Sequence, residues 1–261
     1  MAEVIIAEDQ DEAGQLVAAH LAALIRRTPE TVLGVATGST PLSTYRALAD
    51  EVVRQPLGMD RVQAFALDEY VGLSPNHPES YRSVVTREVT VPLGLNPDRV
   101  HVPDGGMEDI ETAGARYEAA INEAGGIDVQ ILGIGTDGHI GFNEPGSSFG
   151  SLTRVKTLTE QTRRDNARFF GSHEDVPIHC ITQGLGTILR AKHLVLLAFG
   201  SGKATAVAAA VEGPLGANRP ATAIQLHPHV TVVVDEAAAE QLRDADYYRH
   251  VQANKPDWQG L

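Results

Sequence analysis

Short apolar runs alternate with helical repeats along almost the whole chain, and this alternation restricts the fold more than any other feature. The runs TVLGVA (31–36), VQAFAL (62–67), IDVQILGI (127–134), HLVLLAF (193–199) and VTVVV (230–234) are strand-like and apolar on both faces. Between them lie segments of helical spacing. Residues 12–26 place Leu16, Val17, Leu21, Leu24 and Ile25 on one stripe, and Leu42, Tyr45, Leu48, Val52 and Val53 form a second behind Pro41. Residues 107–124, 201–212 and 235–244 supply three more. Strands buried on both faces and joined by helices imply an α/β fold: an open, mostly parallel sheet with helices on both faces, Rossmann-like and doubly wound. No low-complexity linker or charge block interrupts the chain, so one domain spanning 1–261 is expected. In such sheets ligands bind beyond the carboxyl ends of the strands, which directs attention to motifs that directly follow a strand. Segments 72–81 and 141–157 lack periodicity and are long enough to cover a site.

Charge and cysteine content narrow the function. A net charge of −13 gives no footprint for nucleic acid or an anionic membrane surface, both of which reward clustered Lys and Arg. No stretch approaches the roughly 20 apolar residues of a membrane span, and the N-terminal MAEVIIAEDQ turns acidic before a signal-peptide core can form. A single cysteine, Cys180, excludes an intrachain disulfide framework and a multi-cysteine zinc site. A cytoplasmic protein acting on a small molecule is the expectation, and an anionic ligand must be held by local donors.

Four strand ends carry candidate chemistry. ATGSTP (36–41) stands between a strand and a helix; Thr37, Gly38, Ser39 and Thr40 suit a phosphate, or Ser39 or Thr40 simply caps the helix. The lysine of a nucleotide P-loop is absent. Asp68-Glu69-Tyr70 ends the run 62–67, where a partly buried carboxyl can work as a base, or where an aspartate can cap a turn. GIGTDGHIGFNEP (133–145) contains a GxGxxG match, but Gly141, Pro145 and Gly146 mark extended loop instead of the helix a dinucleotide fingerprint requires. Within it Asp137, His139 and Glu144 crowd together, and an imidazole flanked by carboxylates can shuttle a proton near neutral pH. The same trio could ligate a metal, with His227 and His229 as further donors, yet no closed zinc set or helical histidine pair is present. GSGK (200–203) offers Lys203 beside a helix start; Leu197 and Ala204 depart from the Walker pattern and exclude ATP hydrolysis. Arg154, Lys156, Arg163, Arg164 and Arg168 concentrate positive charge in an acidic chain and mark candidate anion sites, a solvated helical face being the alternative.

Taken in order, VATGSTP (35–41), LDEYVGL (67–73), HPESY (77–81), the 133–145 loop, RVKTLT (154–159), NARFF (166–170), TQGLGT (182–187), GSGKA (200–204) and IQLHP (224–228) resemble the glucosamine-6-phosphate deaminase family, from about residue 31 to about residue 236. The resemblance implies conversion of glucosamine 6-phosphate and water to fructose 6-phosphate and ammonia, in amino-sugar catabolism, with no redox or metal cofactor. It assigns to Asp68 the proton moved between C2 and C1. His139 takes the ring-oxygen proton, oriented by Asp137 and Glu144, and Thr37 to Thr40, Arg168 and Lys203 take the phosphate. In allosteric members of the family, Ser147, Arg154, Lys156 and Thr157 match an N-acetylglucosamine 6-phosphate activator site between subunits of a homo-oligomer, a hexamer. The tail 246–258 does not align with the tyrosine that completes that site. Two rivals are a 6-phosphogluconolactonase-like hydrolase and a non-catalytic sugar-phosphate sensor. The LDEY segment and the 133–145 loop favour the deaminase, and no DNA-binding segment supports a sensor.

Overall fold

The computed structural model describes residues 2–256 and 259–261. Asp257 and Trp258 of the tail lie outside the described residues. Among the described residues ten strands form: β1 Glu3–Ala7, β2 Val32–Val35, β3 Gln63–Ala66, β4 Asp68–Tyr70, β5 Val100–His101, β6 Val129–Leu132, β7 Arg154–Thr157, β8 His179–Thr182, β9 His193–Ala198 and β10 Val230–Asp235. Seven of them make one sheet in the order β1-β10-β9-β6-β2-β3-β5. Every pairing in it is parallel. The five runs expected as strands are β2, β3, β6, β9 and β10.

The strand order divides the sheet. From β1 through β2 and β3 to β5 the chain steps toward one edge, and from β5 through β6 and β9 to β10 it steps back. Right-handed crossovers place the helices of the two directions on opposite faces. Helices Gln10–Arg27 and Leu42–Arg54 therefore share one face and touch each other, while Ile110–Glu123 and Ala204–Glu212 cover the other. The direction reverses between β2 and β6, and a sheet opens a crevice at such a point beyond its carboxyl ends. The loops that leave β2 and β6 are ATGSTP and the 133–145 segment. No helix among the described residues is long and apolar enough to cross a membrane.

Several elements depart from the periodicity. β1 is not among the runs expected as strands. The helix expected over 235–244 stops at Ala239, and a separate helix runs Ala245–Ala253. A second, antiparallel sheet, β4-β8-β7, stands beside the first. It encloses a small core of Tyr70, Phe142, Leu158, Val176 and Cys180. The run 62–67 leads straight into it: β3 ends at Ala66 and β4 begins at Asp68. Gln183 joins the two sheets, its backbone N donating to Leu67 O at 2.7 Å and its side chain to Ala66 O at 3.0 Å.

Candidate active site

The crevice at the switch point is a cavity of about 310 Å³ lined by Thr37, Gly38, Ser39, Thr40, Asp68, His139, Arg168 and Lys203, among others. One end gathers hydroxyls, backbone amides and two cationic side chains. After β2 the chain turns through Gly38 at φ 91°, a left-handed conformation that a side chain would strain. The following helix starts with no side-chain cap, so neither Ser39 nor Thr40 takes the capping duty that the sequence allowed. Gln10 Nε2 instead holds the loop backbone, donating to Ser39 O at 3.2 Å and Thr40 O at 3.4 Å. Hydroxyls and uncapped amide groups of a helix start thus face the cavity. Lys203 reaches it from the turn after β9, its Nζ donating to Ile134 O at 2.7 Å, and burial lowers its pKa. Arg168 closes the same end from the turn Ala167–Phe169, its guanidinium 4.7 Å from the Phe169 ring centre.

At the middle of the cavity, alternation along β4 separates two neighbouring acids. Asp68 and Tyr70 line the cavity, whereas Glu69 faces away. Glu69 accepts from Tyr70 N and Tyr81 N at 2.8 Å each and from Arg82 N at 2.9 Å, which fastens the start of helix Tyr81–Val85. Asp68 is buried. Burial, with the Glu69 charge, pushes its carboxyl up to about 7, while His139, Phe142 N and Thr182 act the other way. A carboxyl with that pKa can both take and return a proton near neutrality.

The loop after β6 supplies the third part. It stays extended, as Pro145 and the glycines implied, and its GxGxxG match serves a different purpose. A Cβ on Gly135 would collide with the His139 ring, so glycine here makes room for the imidazole. Gly138 turns at φ 87°. His139 Nδ1 stands 2.7 Å from Asp137 Oδ1 and 3.8 Å from Glu144 Oε2. Burial opposes a charge on the imidazole, but Asp137 and then Glu144 outweigh it and raise its pKa. Asp137, despite its own partial burial, is held well below the usual carboxylate range by the His139 imidazole beside it and by the hydrogen bond from the His139 backbone N. Asp137 and Glu144 lie behind His139 and do not line the cavity. Asp137, His139 and Glu144 also offer ligand atoms within 4.8 Å of one another, the arrangement a metal would need. His227 and His229 cannot complete such a set. His229 stacks on His193 with ring centres 3.7 Å apart at the amino ends of β9 and β10, and His227 Nε2 lies 2.7 Å from Ala191 O.

The four residues matched to an activator site lie outside this cavity. Ser147 is buried and donates to Glu144 O at 2.7 Å. Arg154 Nη1 donates to Asn143 Oδ1 at 2.7 Å, and Nη2 to Ser147 Oγ at 3.4 Å. Lys156 lies two residues on along β7, and Thr157 ends that strand.

Sequence reading gave no role to Tyr81, Thr159, Thr162, Asn166, Thr182 or Arg219. Arg219 Nη1 donates to Asp137 O at 2.8 Å, and Asn166 Nδ2 to the Tyr70 hydroxyl at 2.9 Å. Four of them, Tyr81, Thr159, Asn166 and Thr182, lie inside strings that carried the resemblance, which was the available signal. Their partners are remote in sequence, so no spacing shows the contact.

A parallel sheet whose switch point joins an anion-binding end to a buried carboxyl and a histidine relay defines an acid–base enzyme for a small anionic substrate. The chain belongs to the family described as glucosamine-6-phosphate isomerases/6-phosphogluconolactonase, which it matches over residues 7–233. It is 61% identical over 260 residues to glucosamine-6-phosphate deaminase of Streptomyces avermitilis, covering 99% of this chain and 100% of that one. The corresponding protein of Arthrobacter sp. is 58% identical over 259 residues, with 99% and 100% covered. A solved structure described as a monomeric glucosamine-6-phosphate deaminase superposes with a TM-score of 0.89 at 41% identity, over 92% of this chain and 100% of that one. The 6-phosphogluconolactonase of Trypanosoma brucei shares the fold, at a TM-score of 0.76 and 18% identity over 93% and 99% of the two chains.

Proposed function

We propose that the chain converts glucosamine 6-phosphate and water to fructose 6-phosphate and ammonia. The observation that carries the reading is Asp68, a buried carboxyl with a pKa of about 7, on the same cavity as the His139 relay and the anion-binding end. Thr37 to Thr40, Arg168 and Lys203 hold the phosphate. His139, basic because of Asp137 and Glu144, moves the proton between the hydroxyl at C1 and the ring oxygen as the ring opens. Asp68 then takes the proton from C2 of the open-chain amino aldehyde, leaving an enolamine, and returns it to C1. The product is a 2-imino sugar; water adds to its imine carbon and ammonia leaves. Separating the carbon proton from the ring-oxygen proton gives each group its own pKa requirement. The phosphorylated substrate and the lone buried thiol support a cytoplasmic setting for this activity.

A coupled assay for fructose 6-phosphate and ammonia tests the reading. Asp68→Asn is expected to abolish exchange of the C2 proton with solvent while leaving substrate binding largely intact; full activity in that variant removes the base assignment. His139→Gln is expected to slow reaction from the closed ring more than from the open chain. Hydrolysis of 6-phosphogluconolactone without ammonia release would favour the lactonase, and binding without turnover a sensor. Comparing ammonia release from glucosamine and galactosamine 6-phosphates settles the sugar.

The motif match supports a second reading, activation by N-acetylglucosamine 6-phosphate at Ser147, Arg154, Lys156 and Thr157 in a homo-oligomer, a hexamer. Arg154 and Lys156 fall on the same side of β7 by alternation, as an anion site needs. Arg154 is bonded to Asn143 within the catalytic loop, so an activator that draws it away acts directly on that loop. Rate curves are expected to shift to lower substrate concentration when the activator is added. A monomer on sedimentation, as the 41% identical relative is described, together with unmoved curves, removes this reading.

A further inference from the structure

Glu144 is gripped by residues outside the loop that carries the relay. Its Oε1 accepts from Thr159 N and Thr159 Oγ1 at 3.2 Å each and from Thr162 Oγ1 at 2.6 Å. Its Oε2 is buried, has no hydrogen-bond partner among the described residues and lies 3.8 Å from His139 Nδ1. The two threonines do different work. Thr159 caps the helix Glu160–Asn166, accepting from Thr162 N at 3.2 Å, so its removal disturbs the helix itself. Thr162 is buried, and among the described residues its hydroxyl bonds only to Glu144 and to Thr159 Oγ1, the latter at 3.0 Å.

From this arrangement we infer that Thr162 is a positioning residue for ring opening, its hydroxyl holding one oxygen of Glu144 so that the other is aimed at the His139 imidazole. The inference rests on the function proposed above. Donors on a single oxygen fix the rotation of a carboxylate. Glu144 held in this place helps raise the pKa of His139. Without the Thr162 hydroxyl the carboxylate loses its shortest bond in a buried setting and can turn away from the imidazole. The same segment ends in Asn166 and Arg168 beside the substrate cavity, so one stretch of chain holds the anionic end and orients the relay.

Thr162→Val keeps the shape and removes the hydroxyl; Thr162→Ser keeps the hydroxyl. For T162V, kcat from closed-ring substrate is expected to fall about 10- to 100-fold with KM changed less than about 3-fold. The limb of the pH–rate profile that reports His139 moves to lower pH, because less negative charge then faces the imidazole. T162S is expected to restore both. In the Glu144→Gln background T162V costs little more, since the two act through one contact. Thr162→Ala is measured alongside, so that misfolding of one variant leaves the other to decide. A wild-type rate and pH profile in the folded variants overturns the inference, as does a full additional loss in the Glu144→Gln background. Absence of ammonia release by the wild-type protein is a separate result and overturns the proposed reaction instead.

Discussion

Asp68 works against the stability of the chain that holds it. Its carboxyl titrates at about 7 in the folded protein and near 3.8 when exposed, so the folded state carries the extra proton between those values. Stability gained from the neutral group is complete below about pH 4 and is lost as pH rises to 7, because above that a charge is buried. Each unit of such a difference corresponds to about 1.4 kcal/mol. Asp68→Asn is therefore expected to raise the melting temperature at pH 8, with a much smaller effect at pH 4, while the variant stays inactive. A lower melting temperature at pH 8 would show that the charged carboxylate is compensated by its neighbours. At this scale the sequence was informative about which residues to inspect and silent about their division of labour. Asp68 and Glu69 are equivalent in a string; three residues of β4, too few to show a period, send one into the cavity and the other to the start of a helix. Gly135 likewise looked like part of a nucleotide fingerprint, and its purpose emerges only when the imidazole is seen to occupy the space of its missing side chain.

Elements of the main sheet were legible because burial on both faces leaves an unbroken apolar run, and helices between them keep a clear stripe. The second sheet was not. β7 is the string RVKT, whose charges mark a candidate anion site or a solvated helical face and no strand; it becomes one because β8 pairs with it, with Arg154 bonded to Asn143. The segment 141–157, aperiodic and long enough to cover a site, is in part this strand. Much of the covering falls to residues 160–170, from which Thr162, Asn166, Arg168 and Phe170 line the cavity. The helix expected over 235–244 divides because 240–244 form no helix, and Arg243 N and Asp244 N donate to the Glu212 carboxylate instead of continuing it. In each case a contact distant in sequence overrides a local pattern.

Across the whole molecule the candidate site draws on loops that leave β2, β6 and β9 and on both sheets. The Asp68 carboxyl follows β3, the Asp137, His139 and Glu144 cluster follows β6, and the cations Arg168 and Lys203 come from segments after β7 and β9. Such a site is read from sequence only as a set of strings in a fixed order; their convergence is a property of strand order, which no local pattern encodes. The seam between β2 and β6 bears on how the chain acquires activity. Val32 N donates to Asp128 Oδ2 at 2.8 Å across 96 residues of sequence, and β2 pairs with β6 through Leu33 and Gly34. Closing so long a loop is entropically costly and slow compared with forming the helices it contains. On dilution from denaturant, helical circular dichroism is expected to return before ammonia-releasing activity, and equal rates for the two would place the seam early. A newly made chain therefore stays catalytically silent until its two halves have met: the catalyst is born at the join, and no partial fold of either half can begin consuming substrate ahead of it.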